Sequence, residues 1–309
     1  MPSPEAPRSA VVGLEDPWSP PPPAAPTGVD TDLAAGLDAL DGRDIRARRL
    51  SLRAVVAPLI ATAGLLALWQ LLVWARVKPV WVLPGPGDVW ASLSIDLGWP
   101  AALAAVWTSL SRGVLGFGIS VLVGTILGLL IGQVRWLRQG FRPLLSGMQS
   151  LPSVAWVPAA IVWFRLTDAT IYAVVLLGAV PSIAMGLMSG LDQTPPLLHR
   201  AGRVLGASRA QLVRFVLLPA ALPTYLAGIK QGWAFAWRSL MAAELIVHSP
   251  QLGQGLGQLL NQGRDLSDMS LVIGTILLVL LVGVLVEVAF FAPLERWVLR
   301  RRGLSAVAR

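Results

Sequence analysis

The sequence predicts an all-α membrane protein with six transmembrane helices. Of its 309 residues, 55% are hydrophobic and only 14% are charged, against about 25% charged in typical soluble domains. Several apolar runs also reach about 20 residues, the length at which a helix crosses a bilayer. A soluble fold could not bury that much apolar surface. The sequence therefore predicts a single transmembrane domain that covers residues 51–302.

Two tails are predicted to flank this domain. Residues 1–50 comprise a Pro- and Ala-rich segment, with "SPPPPAAP" at 19–26, and a basic flank, "GRDIRARRLSLR", that begins at Gly42 and runs into the first span. Such a composition cannot bury enough apolar surface to offset its ordering entropy, so a disordered cytoplasmic tail is expected. Residues 303–309 are predicted to form a short cytoplasmic C-terminal tail.

The spans are predicted from six apolar runs, at residues 54–75, 113–134, 143–164, 169–191, 222–247 and 269–294. The second, third and fourth runs contain no charged residue, whereas Glu287 lies near the end of the sixth. Prolines inside the runs, among them Pro152 and Pro181, act either as kinks that permit movement or as simple packing residues. Six spans place both termini on the same side of the membrane.

The distribution of basic residues orients the predicted spans. With the N-terminus inside, arginines concentrate on the inner side: before residue 54, at 135–142, at 200–214 and after 295. The outer side holds Arg76, Lys78, Arg165 and Arg264. This asymmetry follows the positive-inside rule. It predicts a multi-pass plasma (inner) membrane protein with both termini cytoplasmic, and it explains the net charge of +8 without nucleic-acid binding.

Several chemistries are disfavoured by the residues present. The chain has no cysteine and two histidines that lie far apart, so neither a disulfide framework nor a metal site is expected. It contains no G-x-x-x-x-G-K-[ST] phosphate loop and neither of the hydrolase motifs H-E-x-x-H and G-x-S-x-G. We therefore expect no enzyme activity and no cofactor bound by this chain.

One charged cytoplasmic loop, "HRAGRVLGASRAQLVRFVLLP" at 199–219, interrupts the apolar pattern. A short helix is predicted to end near Leu205, and Gly206 permits a tight exit because glycine tolerates left-handed backbone angles. Ser208 and Gln211 match a capping box that starts a second helix, which we expect to end near Pro219. The residues alone leave two alternatives open: a segment held in a groove of another protein, or an interfacial connector whose arginines meet anionic lipid.

The loop resembles the EAA motif of permease subunits in ATP-binding cassette (ABC) importers. The motif reads E-A-A, three residues, G, nine residues, I-x-L-P, and its spacing is matched by Arg200-Ala201-Gly202, Gly206 and 216–219. Arg200 replaces the motif's Glu, and Gly202 replaces its second Ala. Further segments, "LPSVAWVPAAIVWF" at 151–164 and "GLGQLLNQGRDLSDMSLVIG" at 255–274, resemble the nitrate/sulfonate/taurine branch, closest to aliphatic sulfonate permeases.

This resemblance implies the permease of a type I importer, whose coupling-helix loop lies between the fourth and fifth spans. The implied partners are a separate cytoplasmic ATPase dimer that uses ATP, a second and identical permease copy, an extracytoplasmic solute-binding protein and the lipid bilayer. The implied solute is a small anion such as an aliphatic sulfonate, taurine or nitrate. The residues that the resemblance assigns to ATPase coupling are Arg200, Ala201, Gly202, Gly206, Ala207, Ser208, Leu218 and Pro219.

The fifth predicted span carries the candidate translocation path. At 100° per residue, one face of about 80° holds a cation, two indoles, a thioether and an acid. These residues are Lys230, Trp233, Trp237, Met241 and Glu244, with Arg238 to one side. The stripe either lines the path of a small anion, with Lys230 or Arg238 offering charge, or holds the bundle together. In the second case the cations pair with Glu244, a backbone carbonyl or another helix.

A stand-alone secondary carrier or channel for a small anion is the alternative to an importer subunit. It would account for the spans and for the charged residues in the fifth, because ionisable groups inside a membrane usually face a polar interior. It would leave the loop at 195–223 without a role, and the chain shows no paired inverted repeats of interrupted spans.

Overall fold

The computed structural model describes residues 52–247 and 253–301, and this part of the chain is helical and contains no strand. Contacts divide the chain into residues 1–63 and residues 64–309, and the described part of the first unit is the start of one helix. The predicted tails, 1–50 and 303–309, lie outside the described residues. So do residues 248–252, between the fifth and sixth predicted runs.

Twelve α-helices occur in the described ranges. They are α1 (Leu52–Trp74), α2 (Pro86–Ala91), α3 (Trp99–Gln133), α4 (Arg135–Ser150), α5 (Val157–Phe164), α6 (Asp168–Asp192), α7 (Pro196–Val204), α8 (Arg209–Leu212), α9 (Leu218–Ile246), α10 (Leu256–Asp265), α11 (Met269–Val286) and α12 (Ala292–Arg301). Turns of π-helix follow α2 at Ser92–Asp96, α8 at Val213–Leu217 and α11 at Glu287–Phe291, and a 3₁₀ turn at Ser153–Trp156 precedes α5.

Four helical stretches in the described residues are long and apolar enough to cross a membrane: Trp99–Gln133, Asp168–Asp192, Ala210–Ile246 and Met269–Arg301. They cover the second, fourth, fifth and sixth predicted runs to within one residue, which confirms the prediction of membrane-length helices for the described part of the chain. The apolar helix within the first run, Leu59–Trp74, is shorter. The total of six spans stays a prediction.

The third predicted run, 143–164, is interrupted near Pro152, one of the prolines that the sequence marked as a possible kink. Its two halves, Trp136–Ser150 and Ser153–Phe164, meet at an angle of 101°. Proline explains the break, because it lacks the N–H of a helical residue and drives its predecessor out of the helical region. Leu151, which precedes Pro152, accordingly adopts an extended conformation with φ −75° and ψ 131°. The pair forms either one broken span or a re-entrant segment.

The centre of the bundle is α6, which packs against α9 on one side and α3 on the other. Glycines permit this close approach, as small residues do in membrane helix pairs generally. A Cβ added to Gly186 of α6 would lie 2.5 Å from the Cα of Gly228 on α9. One added to Gly124 of α3 would lie 2.9 Å from side-chain atoms of Ile183.

The segment between α9 and α11 folds back onto the bundle. This segment contains the helix α10, whose Leu256 and Leu259 are fully buried in the main core. The next helix begins with a side-chain cap, because the Asp268 carboxylate accepts a hydrogen bond of 3.1 Å from the backbone N–H of Leu271. Such caps satisfy one of the free N–H groups at a helix start.

Candidate functional site

The predicted elbow of the loop has the expected geometry. Gly206 has φ +77°, the left-handed conformation that glycine adopts without steric cost. The backbone N–H of Ala207 donates to the carbonyl oxygen of Gly202 at 3.0 Å, which closes the C-terminal turn of α7. The capping box is confirmed, since the N–H of Ser208 donates to Gln211 Oε1 at 2.8 Å and the N–H of Gln211 donates to Ser208 Oγ at 3.3 Å.

The second helix of the loop is longer than the sequence suggested. It was expected to end near Leu218-Pro219, but the helical stretch runs from Ala210 to Ile246 without interruption. Pro219 lies in the first turn of α9 and directly follows the π-helical turn Val213–Leu217. A proline near the start of a helical segment is tolerated, and the wider π turn changes the hydrogen-bond register there.

The glycine that replaces the motif's second Ala packs the two short helices together. Gly202 is buried, and a Cβ at this position would lie 2.4 Å from Leu212 Cδ1. On the outside of the elbow, Arg200 and Ala201 are exposed, and Val204 and Leu205 are each 86% exposed. The loop is therefore held together on one face and presents uncovered apolar side chains on the other.

Four of the six predicted path residues line one cavity. The cavity has a volume of about 600 Å³ and lies between α9 and the stretch from Gly283 to Leu299. Its lining includes Lys230, Trp233, Trp237 and Arg238. The two indoles are stacked, with ring centroids 5.9 Å apart and planes at 18°. Met241 packs against the core cluster instead, and Glu244 belongs to a separate buried group.

The two cations of the stripe have partners that the sequence did not single out. Lys230 Nζ lies 2.5 Å from Glu287 Oε1 and 3.5 Å from Glu295 Oε2. Arg238 Nε donates to the carbonyl oxygen of Ala234 at 2.9 Å, and its guanidinium lies 4.8 Å from the Phe235 ring centroid. Of the three kinds of partner that the sequence left open, the structure shows another helical stretch for Lys230 and a backbone carbonyl for Arg238, and Glu244 pairs with neither.

Glu244 is fully buried and forms the centre of a polar group near the C-terminal end of α9. Its Oε1 accepts from Arg112 Nη1 at 3.1 Å. Its Oε2 accepts from Ser109 Oγ at 2.6 Å and from the N–H of Gly257 at 3.1 Å. Arg112 Nε also donates to Asp168 Oδ1 at 3.0 Å. This group ties α3, α6, α9 and α10 together.

The cavity beside α9 is also lined by a residue whose buried donor has no acceptor among the described residues. Trp237 is 7% exposed, and among the described residues its indole Nε1 has no hydrogen-bond acceptor. Buried indole N–H groups usually find an acceptor.

Comparisons with known proteins identify the family. Residues 120–297, more than half of the chain, match the family described as the inner membrane component of binding-protein-dependent transport systems. The chain belongs to this family. It is 28% identical over 249 residues to the taurine transport system permease protein TauC of Escherichia coli, a match that covers 79% of this chain and 89% of TauC. It is 32% identical over 214 residues to the riboflavin transport system permease protein RibX of Chloroflexus aurantiacus, covering 67% and 76%.

The fold comparison agrees with this assignment. An inward-facing structure of the MetNI methionine ABC transporter superposes with a TM-score of 0.57 at 22% identity, covering 67% of this chain and 99% of the MetNI chain. The resemblance to type I ABC importer permeases, nitrate/sulfonate/taurine branch, is thus confirmed. The relatives are named as transport permeases rather than enzymes, and their named solutes differ.

Proposed function

We propose that this chain is the importer subunit through which a small anion, such as an aliphatic sulfonate, taurine or nitrate, crosses the membrane. A separate cytoplasmic ATPase dimer drives it, and an extracytoplasmic binding protein delivers the solute. The loop and both termini are assigned to the cytoplasm. The observation that carries the proposal is the elbow itself, where a capped turn displays Val204 and Leu205, each 86% exposed. Short helices with such apolar anchors dock into grooves of partner proteins.

The continuous helix from Ala210 to Ile246 gives the coupling a mechanical route. The elbow at Gly206-Ala207-Ser208 lies directly before this helix, and the cavity residues Lys230 and Trp237 lie within it. The chain between the two sites is helical throughout, with the π turn Val213–Leu217 inside it, so a displacement of the elbow is expected to move the cavity wall. A packed helix transmits such a displacement because protein interiors are densely packed and resist compression.

A second copy of the chain is proposed to complete the path. Gln231 and Arg238 on α9 are exposed, and Lys230 is twelve residues into α9, about 18 Å along its axis. Ion pairs such as Lys230–Glu287 are costly in contact with lipid at that depth. An identical subunit facing this surface would shield it from lipid and enclose the aqueous path between the two copies.

Replacing Gly206 with valine is expected to uncouple ATP hydrolysis from uptake while leaving membrane insertion intact. A β-branched residue in the left-handed region costs about 1–2 kcal/mol, which lowers the equilibrium constant for forming the native elbow about tenfold. Uptake of labelled taurine or nitrate into proteoliposomes, reconstituted with the ATPase and the binding protein, should fall by that factor per ATP hydrolysed.

The matched control for this test is Gly140→Val. Gly140 lies in α4, and a Cβ there meets nothing within 4 Å, as at Gly206, but its φ is not positive. Uptake should be unchanged in this control. Full uptake in Gly206→Val would show that the elbow does not couple, and gradient-driven flux by the chain alone would favour the carrier or channel.

The role of the cavity can be tested with Trp237→Phe. This change removes an indole N–H that bonds to no described residue, so the thermal stability of the fold should change little. If the N–H donates to the solute, the KM for uptake should rise about fivefold to tenfold, the value of one lost hydrogen bond. Trp163→Phe is the control, because Trp163 is 64% exposed and outside the cavity. An equal KM in wild type and Trp237→Phe would show that the indole N–H does not donate to the solute.

A further inference from the structure

A second cavity lies where the loop meets the ends of the spans. Its volume is about 610 Å³, and it shares no lining residue with the cavity between α9 and α12. The walls come from the C-terminal ends of α3 and α6, from α4, from α7 and from the π turn at Val213–Leu217. Its ionisable lining residues are Arg138, Asp192, His199, Arg200 and Arg203. A cavity of this volume that is lined by several cationic side chains is suited to a negatively charged ligand.

The only acid in the lining is already paired. Asp192 accepts from Arg138 Nη1, and its Oδ2 lies 3.0 Å from Arg142 Nη1. Among the ion pairs formed by the described residues, none includes Arg200 or Arg203. Two arginines that line the cavity therefore have no carboxylate partner in the described part of the chain. In addition, Arg138 Nε is buried and has no hydrogen-bond acceptor there.

We propose that this second cavity binds a small oxyanion, namely a phosphate, sulfate or sulfonate group, between Arg138, Arg200 and Arg203. The planar guanidinium donates paired hydrogen bonds that match the geometry of such groups. The group could belong to a free anion in the cytoplasm or to the headgroup of an anionic lipid. A free anion is consistent with the volume, which exceeds what a bare phosphate requires and leaves room for its hydration.

Occupancy of this site would act on the loop. An oxyanion held by Arg138 on one side and by Arg200 and Arg203 on the other would join α4 to α7, and thereby the spans to the elbow. Any movement of the elbow relative to the spans would then have to break those contacts. By linkage, the conformation that separates the two sides binds the anion more weakly. The site would thus slow transport when the oxyanion accumulates on the inner side.

The test is sulfate binding by the full-length chain in nanodiscs of zwitterionic lipid, without the ATPase, so its outcome does not depend on the proposed function. Sodium sulfate should raise the Tm in a saturable manner, whereas sodium chloride at equal ionic strength should not. Arg203→Gln should raise the sulfate Kd about tenfold, and Arg200→Gln/Arg203→Gln should raise it further. The control is Arg296→Gln, an exposed arginine on α12 that lines neither cavity.

The same titration in nanodiscs containing phosphatidylglycerol separates the two sources of the oxyanion. Loss of sulfate binding by the wild type in those discs, with no such lipid dependence of the weaker binding by Arg203→Gln, assigns the site to a lipid phosphate. Unchanged sulfate binding assigns it to a free anion. The proposal is overturned if sulfate stabilises the chain no more than chloride does, or if Arg296→Gln weakens binding as much as Arg203→Gln.

Discussion

Replacing Glu244 with methionine is expected to lower the free energy of unfolding by about 3–5 kcal/mol, the usual cost of removing one partner from a buried ion pair. Glu244 is fully buried, and the side chain of Arg112 is 7% exposed. The change would leave Arg112 with the half-exposed Asp168 as its remaining carboxylate in the group. It would also remove the acceptor of Ser109 Oγ and of the Gly257 N–H. Unfolding in mixed micelles, followed by tryptophan fluorescence, measures the change.

A double-mutant cycle isolates the ion pair within this group. Arg112→Met/Glu244→Met should be less destabilised than the sum of its single variants by at least about 1 kcal/mol, because neither charge is then buried alone. Arg264→Met provides the surface control: Arg264 pairs with Asp265 while its side chain is 68% exposed, and exposed pairs contribute about 0–1 kcal/mol. Additive single effects would show that Arg112 and Glu244 contribute independently.

The substitution Gly186→Val is expected to disrupt the central helix pair. A Cβ at Gly186 would lie 2.5 Å from the Cα of Gly228 and 3.1 Å from its backbone nitrogen. Backbone atoms cannot move aside as a flexible side chain can, so α6 and α9 would have to separate along their contact. Overpacking of this kind costs about 3 kcal/mol or more, and the loss of the folded fraction should be visible in size-exclusion profiles of the detergent-solubilised protein.

Gly118→Val is the matched control for this prediction. Gly118 lies in the membrane helix α3, and a Cβ there meets nothing within 4 Å, so the same added volume points into open space. The control should elute and unfold as the wild type does. If Gly186→Val behaves in the same way, the close approach of α6 and α9 is not needed for folding.

Features determined by local sequence were predictable. The spans at 169–191 and 222–247 follow from mainly apolar runs of membrane-spanning length, since a helix is one of the few structures that satisfies its backbone in lipid. The elbow followed from Gly206 and from the Ser208–Gln211 spacing, because a capping box needs only residues three apart. The face of α9 that holds Trp233 and Trp237 followed from helical periodicity alone.

Features determined by tertiary contacts were not predictable in the same way. The second span was expected from residue 113, so Arg112 fell just outside it, but the structure starts α3 at Trp99 and buries Arg112. Ser109 and Arg112 are compatible with the interior of the bundle because Glu244, 132 residues away from Arg112, accepts hydrogen bonds from both, and Asp168 supplies a second carboxylate to Arg112. One available signal was the spacing of Ser109 and Arg112, which places both on one face of a helix.

The length of α3 also bears on how the chain is made. Arg112 lies 21 residues before Gln133, the last residue of α3, a distance of about 32 Å along the axis, which is close to the hydrocarbon thickness of about 30 Å. With Gln133 at one membrane boundary, Arg112 lies at the other. During biosynthesis this guanidinium can therefore stay hydrated at the interface and need not rest at the bilayer midplane. The guanidinium can remain at the interface until the later helix that carries Glu244 has been synthesised and inserted.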